Sequence, residues 1–93
     1  MRNVVFKALA DPTRRRILEL LKSGAKSSGE IAEAFPSSWP TISRHLAVLR
    51  EAGLIQATRE GQHIRYELDT SVVQDLAQHL LGWIGKGGGR RVP

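Results

Sequence analysis

Residues 38–54, SWPTISRHLAVLREAGL, contain the start, the interior and the end of one amphipathic helix. Ser38 is a typical N-cap residue, Pro40 lies in the first turn where a missing N–H costs least, and Gly53 suits the position after the last turn. At about 100° per residue, one face is apolar and continues to Gly53. That face consists of Ile42, Leu46 and Leu49. The spacing predicts a helix that packs on a protein core.

The opposite face of this helix carries small polar and basic groups. Its outward positions are Pro40, Thr41, Arg44 and Glu51, and its flanks are Ser43 and His45. Hydroxyl groups bind phosphates or base edges, and an arginine can bind O6 and N7 of guanine together. The pattern fits a helix that enters a DNA major groove. It fits an ordinary solvated helix surface equally well, so the neighbouring elements have to decide between them.

The composition indicates one small folded domain with a weak preference for anionic partners. The chain has 93 residues, 14 Lys and Arg against 9 Asp and Glu, a net charge of +5 and no cysteine. The missing cysteine excludes disulfides, thiolate catalysis and cysteine zinc sites, and it fits a cytoplasmic protein. No apolar run approaches the roughly 20 residues of a membrane span, so we expect no membrane insertion.

The chain before this helix predicts three further helices. Residues 2–9 have apolar side chains at helical spacing, and Asp11 with the following proline starts a second helix that runs to about residue 22. The arginines at 14–16 open that helix, where pairing with acids or solvent is favoured over a phosphate clamp. Ser28 is the expected cap of a third helix over 29–35. A tight turn then leads to the helix at 38–54, which gives a helix-turn-helix.

A β-hairpin follows directly, with strands at 54–59 and 63–68 around the turn Glu60-Gly61-Gln62. Alternation in the second strand points Ile64, Tyr66 and Leu68 inward. A hairpin after a recognition helix is typical of the wing of a winged helix. Its basic tip is expected to lie along phosphates or enter the minor groove, and it comprises Arg59, His63 and Arg65. An edge hairpin with solvated charges is the alternative.

A last helix is expected over 70–85, with Asp69 or Thr70 as its cap, and it has more apolar residues than one narrow stripe requires. The surplus area, with that of the first helix, predicts a dimer surface. Its expected members are Val4, Val5, Leu9, Val73, Leu76, Leu80, Trp83 and Ile84. The predicted fold is mainly α (α+β), a winged helix-turn-helix in the order α-α-α-α-β-β-α. The domain covers 1–86, and 87–93 form a flexible basic tail.

Three stretches resemble the ArsR-type winged-helix repressors: FKALADPTRRRIL at 6–18, TISRHLAVLREAGLI at 41–55 and REGQ at 59–62. The likeness extends to about residue 86. Within the family, the chain is most similar to the metal-independent SdpR-like autorepressor branch, on the grounds of its length, its lack of metal ligands and its closing residues 82–87. The resemblance implies a homodimer, built on the first and last helices, that binds inverted-repeat operator DNA and blocks transcription. Such a protein would be cytoplasmic and associated with the nucleoid when bound to DNA.

The resemblance also implies a set of DNA-contacting residues. They are Ser38, Pro40, Thr41, Ser43, Arg44 and His45 in the helix, and Arg59, Gln62, His63 and Arg65 in the wing. Trp39 departs from the family, which usually has a polar group there; it packs on the sugar-phosphate backbone or shields the turn, and shielding is favoured.

No metal site, cofactor or enzymatic activity is expected. Asp75 and His79, four residues apart on the last helix, are too few ligands without a partner chain. The chain has no thiol, no Ser-His-acid pattern and no phosphate-binding glycine loop before a helix. The alternative functions are a winged-helix protein-interaction module and a repressor that senses metal on its last helix. The alternatives for the releasing signal are an unknown partner protein, a small-molecule inducer, or nothing beyond the expression level.

Overall fold

Five helices and three short strands follow one another along residues 2–85, the part of the chain that this computed structural model describes. The elements are α1 (Arg2–Leu9), α2 (Pro12–Leu21), β1 (Lys26–Ser27), α3 (Ser28–Glu33), α4 (Trp39–Glu51), β2 (Ile55–Glu60), β3 (His63–Leu68) and α5 (Thr70–Ile84). The predicted winged helix-turn-helix is confirmed, with one addition: the sequence did not predict β1. The tail expected at 87–93 lies outside the described residues.

Side-chain caps determine where α2 and α3 begin. One carboxylate oxygen of Asp11 accepts hydrogen bonds from the backbone N–H groups of Thr13 (2.9 Å) and Arg14 (3.1 Å), as the sequence predicted for α2. The cap of α3 is Ser27, not the predicted Ser28. Ser27 and Glu30 form a capping box in which each side chain accepts from the other's backbone N–H. The cap lies one residue earlier because β1 holds Ser27 in extended conformation.

The two ends of α4 behave differently. Ser38 has the backbone conformation of an N-cap, but its hydroxyl pairs with the hydroxyl of Thr41 at 3.1 Å and makes no side-chain capping bond. At the other end, Gly53 takes a φ of +78°. The N–H of Gly53 bonds to the Arg50 carbonyl at 3.0 Å, and the N–H of Leu54 bonds to the Leu49 carbonyl at 3.0 Å. This is a Schellman motif, and it confirms the predicted role of Gly53.

Gly53→Ala is expected to destabilise the fold by about 1–2 kcal/mol, because a side chain rarely adopts this positive φ. A Cβ there would also lie 3.0 Å from Cγ2 of Val72. Urea denaturation measures the loss. The control is Gly82→Ala, where an added Cβ meets no described atom within 4 Å and should raise stability by up to about 1 kcal/mol. An unchanged midpoint for Gly53→Ala would contradict the prediction.

The strands form a three-stranded antiparallel sheet in the order β1-β3-β2. The hairpin of β2 and β3 pairs Ala57 with Tyr66 and closes with Glu60 opposite His63. Gly61 in the two-residue turn has a φ of +61°, as its sequence position predicted. The predicted alternation in β3 is confirmed. Tyr66 is buried, Ile64 and Leu68 are half-buried, and the residues between them are exposed.

The core lies between the helices and the inner face of the sheet, and α1 and α5 contribute Val5, Ala8 and Leu76 to it. Its largest fully buried side chains are Ile17, Ile31, Ile42, Leu46, Leu49 and Leu54. Burying each of these contributes about 1.5–3 kcal/mol relative to exposure. Three of the six belong to α4, so α4 is held by one face along most of its length. In the described part of the chain, no helix is both long enough and apolar enough to cross a bilayer.

Hydrogen bonds join the two ends of the hairpin at its base. The N–H of Asp69 bonds to the carbonyl of Leu54 at 2.9 Å, and the amide of Gln56 donates to the Asp69 carboxylate at 2.6 Å. Asp69 also caps α5 by accepting from the N–H of Ser71 at 3.0 Å. These bonds, that of Gln56 foremost, lower the pKa of Asp69. The start of α5 and the base of the hairpin therefore share one residue.

Candidate nucleic-acid interface

The outer face of α4 is a solvent-exposed surface of polar and basic groups. Thr41, Ser43 and Arg44 are exposed there, and a shallow hollow beside Arg44 is lined by Ala47, Val48, Arg50 and Glu51. The sequence analysis did not single out Ala47 and Arg50, although helical spacing brings Ala47 next to Arg44. The face is open to solvent because the apolar residues of α4 are buried on its opposite side. An exposed, partly basic helix face of this kind can enter a major groove.

Trp39 begins α4 and is 44% exposed. It lines a shallow hollow with Ser28, Gly29 and Ala32 of α3. The Trp39 side chain therefore borders α3 and remains partly open to solvent. Pro40 and Ser38 are exposed beside it.

His45 is turned away from this outer face. Its side chain is 13% exposed, its Nε2 lies 3.9 Å from a carboxylate oxygen of Asp11, and its Nδ1 lies 3.2 Å from Nη1 of Arg14. The backbone N–H of Arg14, foremost, and that of Thr13 hold the pKa of Asp11 below its usual value by hydrogen bonding to the carboxylate. The structure thus groups His45 with the start of α2, apart from Arg44 and Ser43.

The arginine run caps a neighbouring helix. Arg14 donates from Nε to the Ala8 carbonyl (2.8 Å) and from Nη2 to the Lys7 carbonyl (2.9 Å), and Arg15 donates to the Leu9 carbonyl (2.7 Å). These carbonyls lie in the last turn of α1, where a helix lacks its own backbone donors. The Lys7 carbonyl also accepts from the N–H of Ala10 at 3.2 Å. The sequence analysis expected acids or solvent as partners. The sequence contains one signal for these contacts that the analysis did not use. Only two residues connect α1 and α2, so the start of α2 lies beside the end of α1.

The strand register separates the basic residues of the wing. Arg59 pairs with Ile64 and so lies on the inner face of the hairpin, whereas Arg65 shares the outer face with His63 and Glu60. Nη1 of Arg65 lies 4.0 Å from the Glu60 carboxylate, which offsets part of its charge. Gln62 is exposed in the turn. The four predicted wing residues therefore surround the tip and do not share one face.

The predicted dimer residues divide into two groups. Val5 (3% exposed) and Leu76 (8%) belong to the core of their own chain, and Leu9 packs against that core. The others are exposed, together with Phe6 and Leu81, which the sequence analysis left out. The exposed apolar surface of α1 and α5 consists of Val4, Phe6, Val73, Leu80, Leu81, Trp83 and Ile84. Several large apolar side chains exposed on the same helices are typical of protein contacts.

Asp75 and His79, the two residues considered as metal ligands, lie on α5. The His79 ring packs edge-on against Trp83, with 5.3 Å between the ring centroids. The Asp75 side chain also has an interaction partner within the protein. Within residues 2–85, no three His, Asp or Glu side chains come close enough together to hold a metal ion.

A helix with an exposed polar face, preceded by a helix and a turn and followed by a hairpin, defines the winged helix-turn-helix class. The sequence profile described as "Bacterial regulatory protein, arsR family" matches residues 11–57, from the cap of α2 into β2. The chain belongs to this family. Its members are regulatory proteins and not enzymes.

The named relatives are also transcriptional regulators. The chain is 52% identical over 85 residues to the transcriptional repressor SdpR of Bacillus subtilis (strain 168), covering 91% of this chain and 94% of that protein. It is 46% identical over 80 residues to the arsenic resistance transcriptional regulator ArsR1 of Pseudomonas putida, covering 85% of this chain but only 62% of that protein. Among solved structures, an ArsR-like transcriptional regulator from Rhodococcus sp. RHA1 superposes with a TM-score of 0.78 at 33% identity, over 85% of this chain and 74% of that chain.

Proposed function

We propose that this protein is a homodimeric, cytoplasmic transcriptional repressor that binds an inverted-repeat operator. The observation that carries the proposal is the outer face of α4, where Thr41, Ser43 and Arg44 are exposed on a helix that the core holds from behind. The name of the SdpR relative supports the repressor role, since the two chains match over nearly their whole lengths.

The contacts are assigned from position on α4 and on the wing. Arg44 lies in the middle of the outer face, where it reaches base edges, and it discriminates guanine by binding O6 and N7. Ser38, Pro40, Thr41 and Ser43 lie around the N-terminal end, where hydroxyls and backbone groups contact phosphates. His45 is omitted from the contact set because its ring faces Asp11 and Arg14.

The second copy is assigned to the exposed apolar surface of α1 and α5. The proposal requires a two-fold axis through this surface that brings both α4 helices to one side of the dimer, a symmetry that an inverted repeat would mirror. Half-sites one helical turn apart, about 34–36 Å or a multiple of it, then fit successive major grooves on one face of the duplex.

Arg59→Ala is expected to weaken binding to operator and to random DNA alike, because the wing contacts phosphates rather than bases. The slope of log affinity against log salt should fall by about one, the value for one lost phosphate contact. Arg65→Ala, the matched loss of charge on the outer face, should change the slope less because Glu60 already offsets part of that charge. An unchanged slope for Arg59→Ala would remove Arg59 from the interface.

The proposal is tested by selecting the DNA that the purified protein retains from fragments of its own genome, then titrating a recovered duplex at about 150 mM salt. A repressor recovers fragments that share an inverted repeat and binds them far more tightly than random duplexes. Equal affinity for selected and random DNA, or no binding, would overturn the proposal and favour a protein-interaction module.

A further inference from the structure

The side chain of Arg14 lies where three helices meet. It begins in the first turn of α2, its Nε and Nη2 donate to the Ala8 and Lys7 carbonyls at the end of α1, and its Nη1 lies 3.2 Å from Nδ1 of His45 on α4. Arg14 and His45 are 31 residues apart in sequence. Arg14 is half-buried and His45 is 13% exposed, so solvent competes only partly for these bonds.

The chemistry of the two groups fixes the direction of each bond. A guanidinium only donates, so Nδ1 of His45 must accept, and the ring proton is on Nε2. That nitrogen faces the Asp11 carboxylate at 3.9 Å. Three of the five N–H groups of Arg14 are thereby directed to atoms on two other helices, and the planar fork holds them at fixed angles. Lysine, with a single ammonium group on a flexible stem, cannot reproduce this arrangement.

We infer that Arg14 is a positioning residue for DNA binding: through His45 it fixes the orientation of α4 relative to α1. The inference rests on the proposed function, in which α1 contributes to the dimer surface and α4 enters the groove. Aliphatic packing by Ile42, Leu46 and Leu49 holds α4 on the core, but such packing is not directional. The directional link between the element that joins the two copies and the element that enters the groove is the Arg14–His45 bond. It therefore sets the spacing and the angle between the two α4 helices of a dimer.

If Arg14 has this role, its removal lowers DNA affinity by an amount that depends on the number of half-sites in the duplex. A duplex with both half-sites requires both α4 helices at the correct separation, whereas a duplex with one half-site requires only one of them. Arg14→Ala is expected to weaken binding to the complete operator about tenfold, as for a lost hydrogen bond to a charged group, and to change single half-site binding less than about twofold. The salt slope should stay constant, because the guanidinium is directed at protein atoms and not at phosphates.

Arg15→Ala is the matched control. It removes an equal charge and a 2.7 Å bond to the same end of α1, at the Leu9 carbonyl, and Arg15 is exposed. It should leave both affinities within about twofold of the unmodified protein. Equal losses for Arg14→Ala and Arg15→Ala would show a general effect of weakening α1 and overturn the inference. A fall in the salt slope for Arg14→Ala by about one would overturn it too, by making Arg14 a phosphate contact.

A second pair of variants tests the same link from the other side and leaves the α1 bonds of Arg14 in place. His45→Ala should reproduce the operator-specific loss, and the double variant Arg14→Ala/His45→Ala should lose no more than either single one. His45→Gln offers an amide oxygen to Arg14 and should recover most of the binding. Additive losses, or no recovery with glutamine, would overturn the inference, because Arg14 and His45 would then act independently of their mutual bond.

The outcomes separate the two levels of the proposal. If the unmodified protein binds neither duplex specifically, the proposed function fails and this inference with it. If it binds the complete operator and Arg14→Ala, or His45→Ala where Arg14→Ala does not fold, binds equally well, only the inference fails.

Discussion

Replacing Leu80 with aspartate is expected to turn the proposed dimer into monomers and to reduce operator affinity by about 100-fold or more. Leu80 lies near the middle of the exposed apolar stripe of α5, between Val73 and Ile84. An unpaired carboxylate buried there on association costs several kcal/mol, and two copies would each bring one. Since each monomer retains a single α4, the gain from two linked half-sites is lost.

Sedimentation velocity over a range of protein concentrations measures the first effect, and an anisotropy titration measures the second. Gln78→Asp is the control, because it adds the same charge to the same helix on nearly the opposite side, where the side chain is already exposed. It should leave the dimer and its affinity unchanged. A Leu80→Asp variant that sediments as a dimer and binds the operator normally would show that two copies meet elsewhere.

Arg44→Ala is expected to weaken operator binding by about 1–3 kcal/mol, which is roughly 5- to 150-fold, with little effect on random DNA. The cause is a bidentate contact to one base in each half-site, which alanine cannot replace. Titration against operators altered at a single symmetric base pair measures the loss of discrimination. The unmodified protein should reject the alteration at one position, and the variant should tolerate it there.

Arg50→Ala provides the comparison for Arg44→Ala. It removes the same charge from the last turn of the same helix, but Arg50 lies about 120° around the helix from Arg44. A small, sequence-independent loss is expected. If Arg44→Ala weakens operator and random DNA by equal factors, Arg44 contacts the backbone and the assignment of base recognition is wrong.

Much of the fold was predictable because its signals are local. Asp11 with Pro12 starts α2, and Gly53 ends α4, through bonds between residues two to five positions apart. The cap of α3 was misplaced because β1 pairs with β3, a contact between distant residues that fixes the backbone of Ser27. These two helix ends were predictable because a few neighbouring residues determine each of them.

The candidate site was less predictable for the same physical reason. Helical spacing identified the exposed side of α4, but it could not show that His45 on its flank meets Arg14 in another helix. The opposite placement of Arg59 and Arg65 depends on strand register. For α5, an apolar stripe looks the same whether its own core covers it, as for Leu76, or leaves it exposed, as for Trp83.

The hairpin is closed at its base. The Asp69–Leu54 backbone bond and the Gln56 side chain join its two ends, and Val72 of α5 packs where Gly53 has no side chain. The tip, by contrast, ends in a two-residue turn with exposed neighbours. We therefore expect any bending of the wing to concentrate in the strand pairs next to the turn, so that the wing adjusts to grooves of different width without moving α5 or a second copy packed on it.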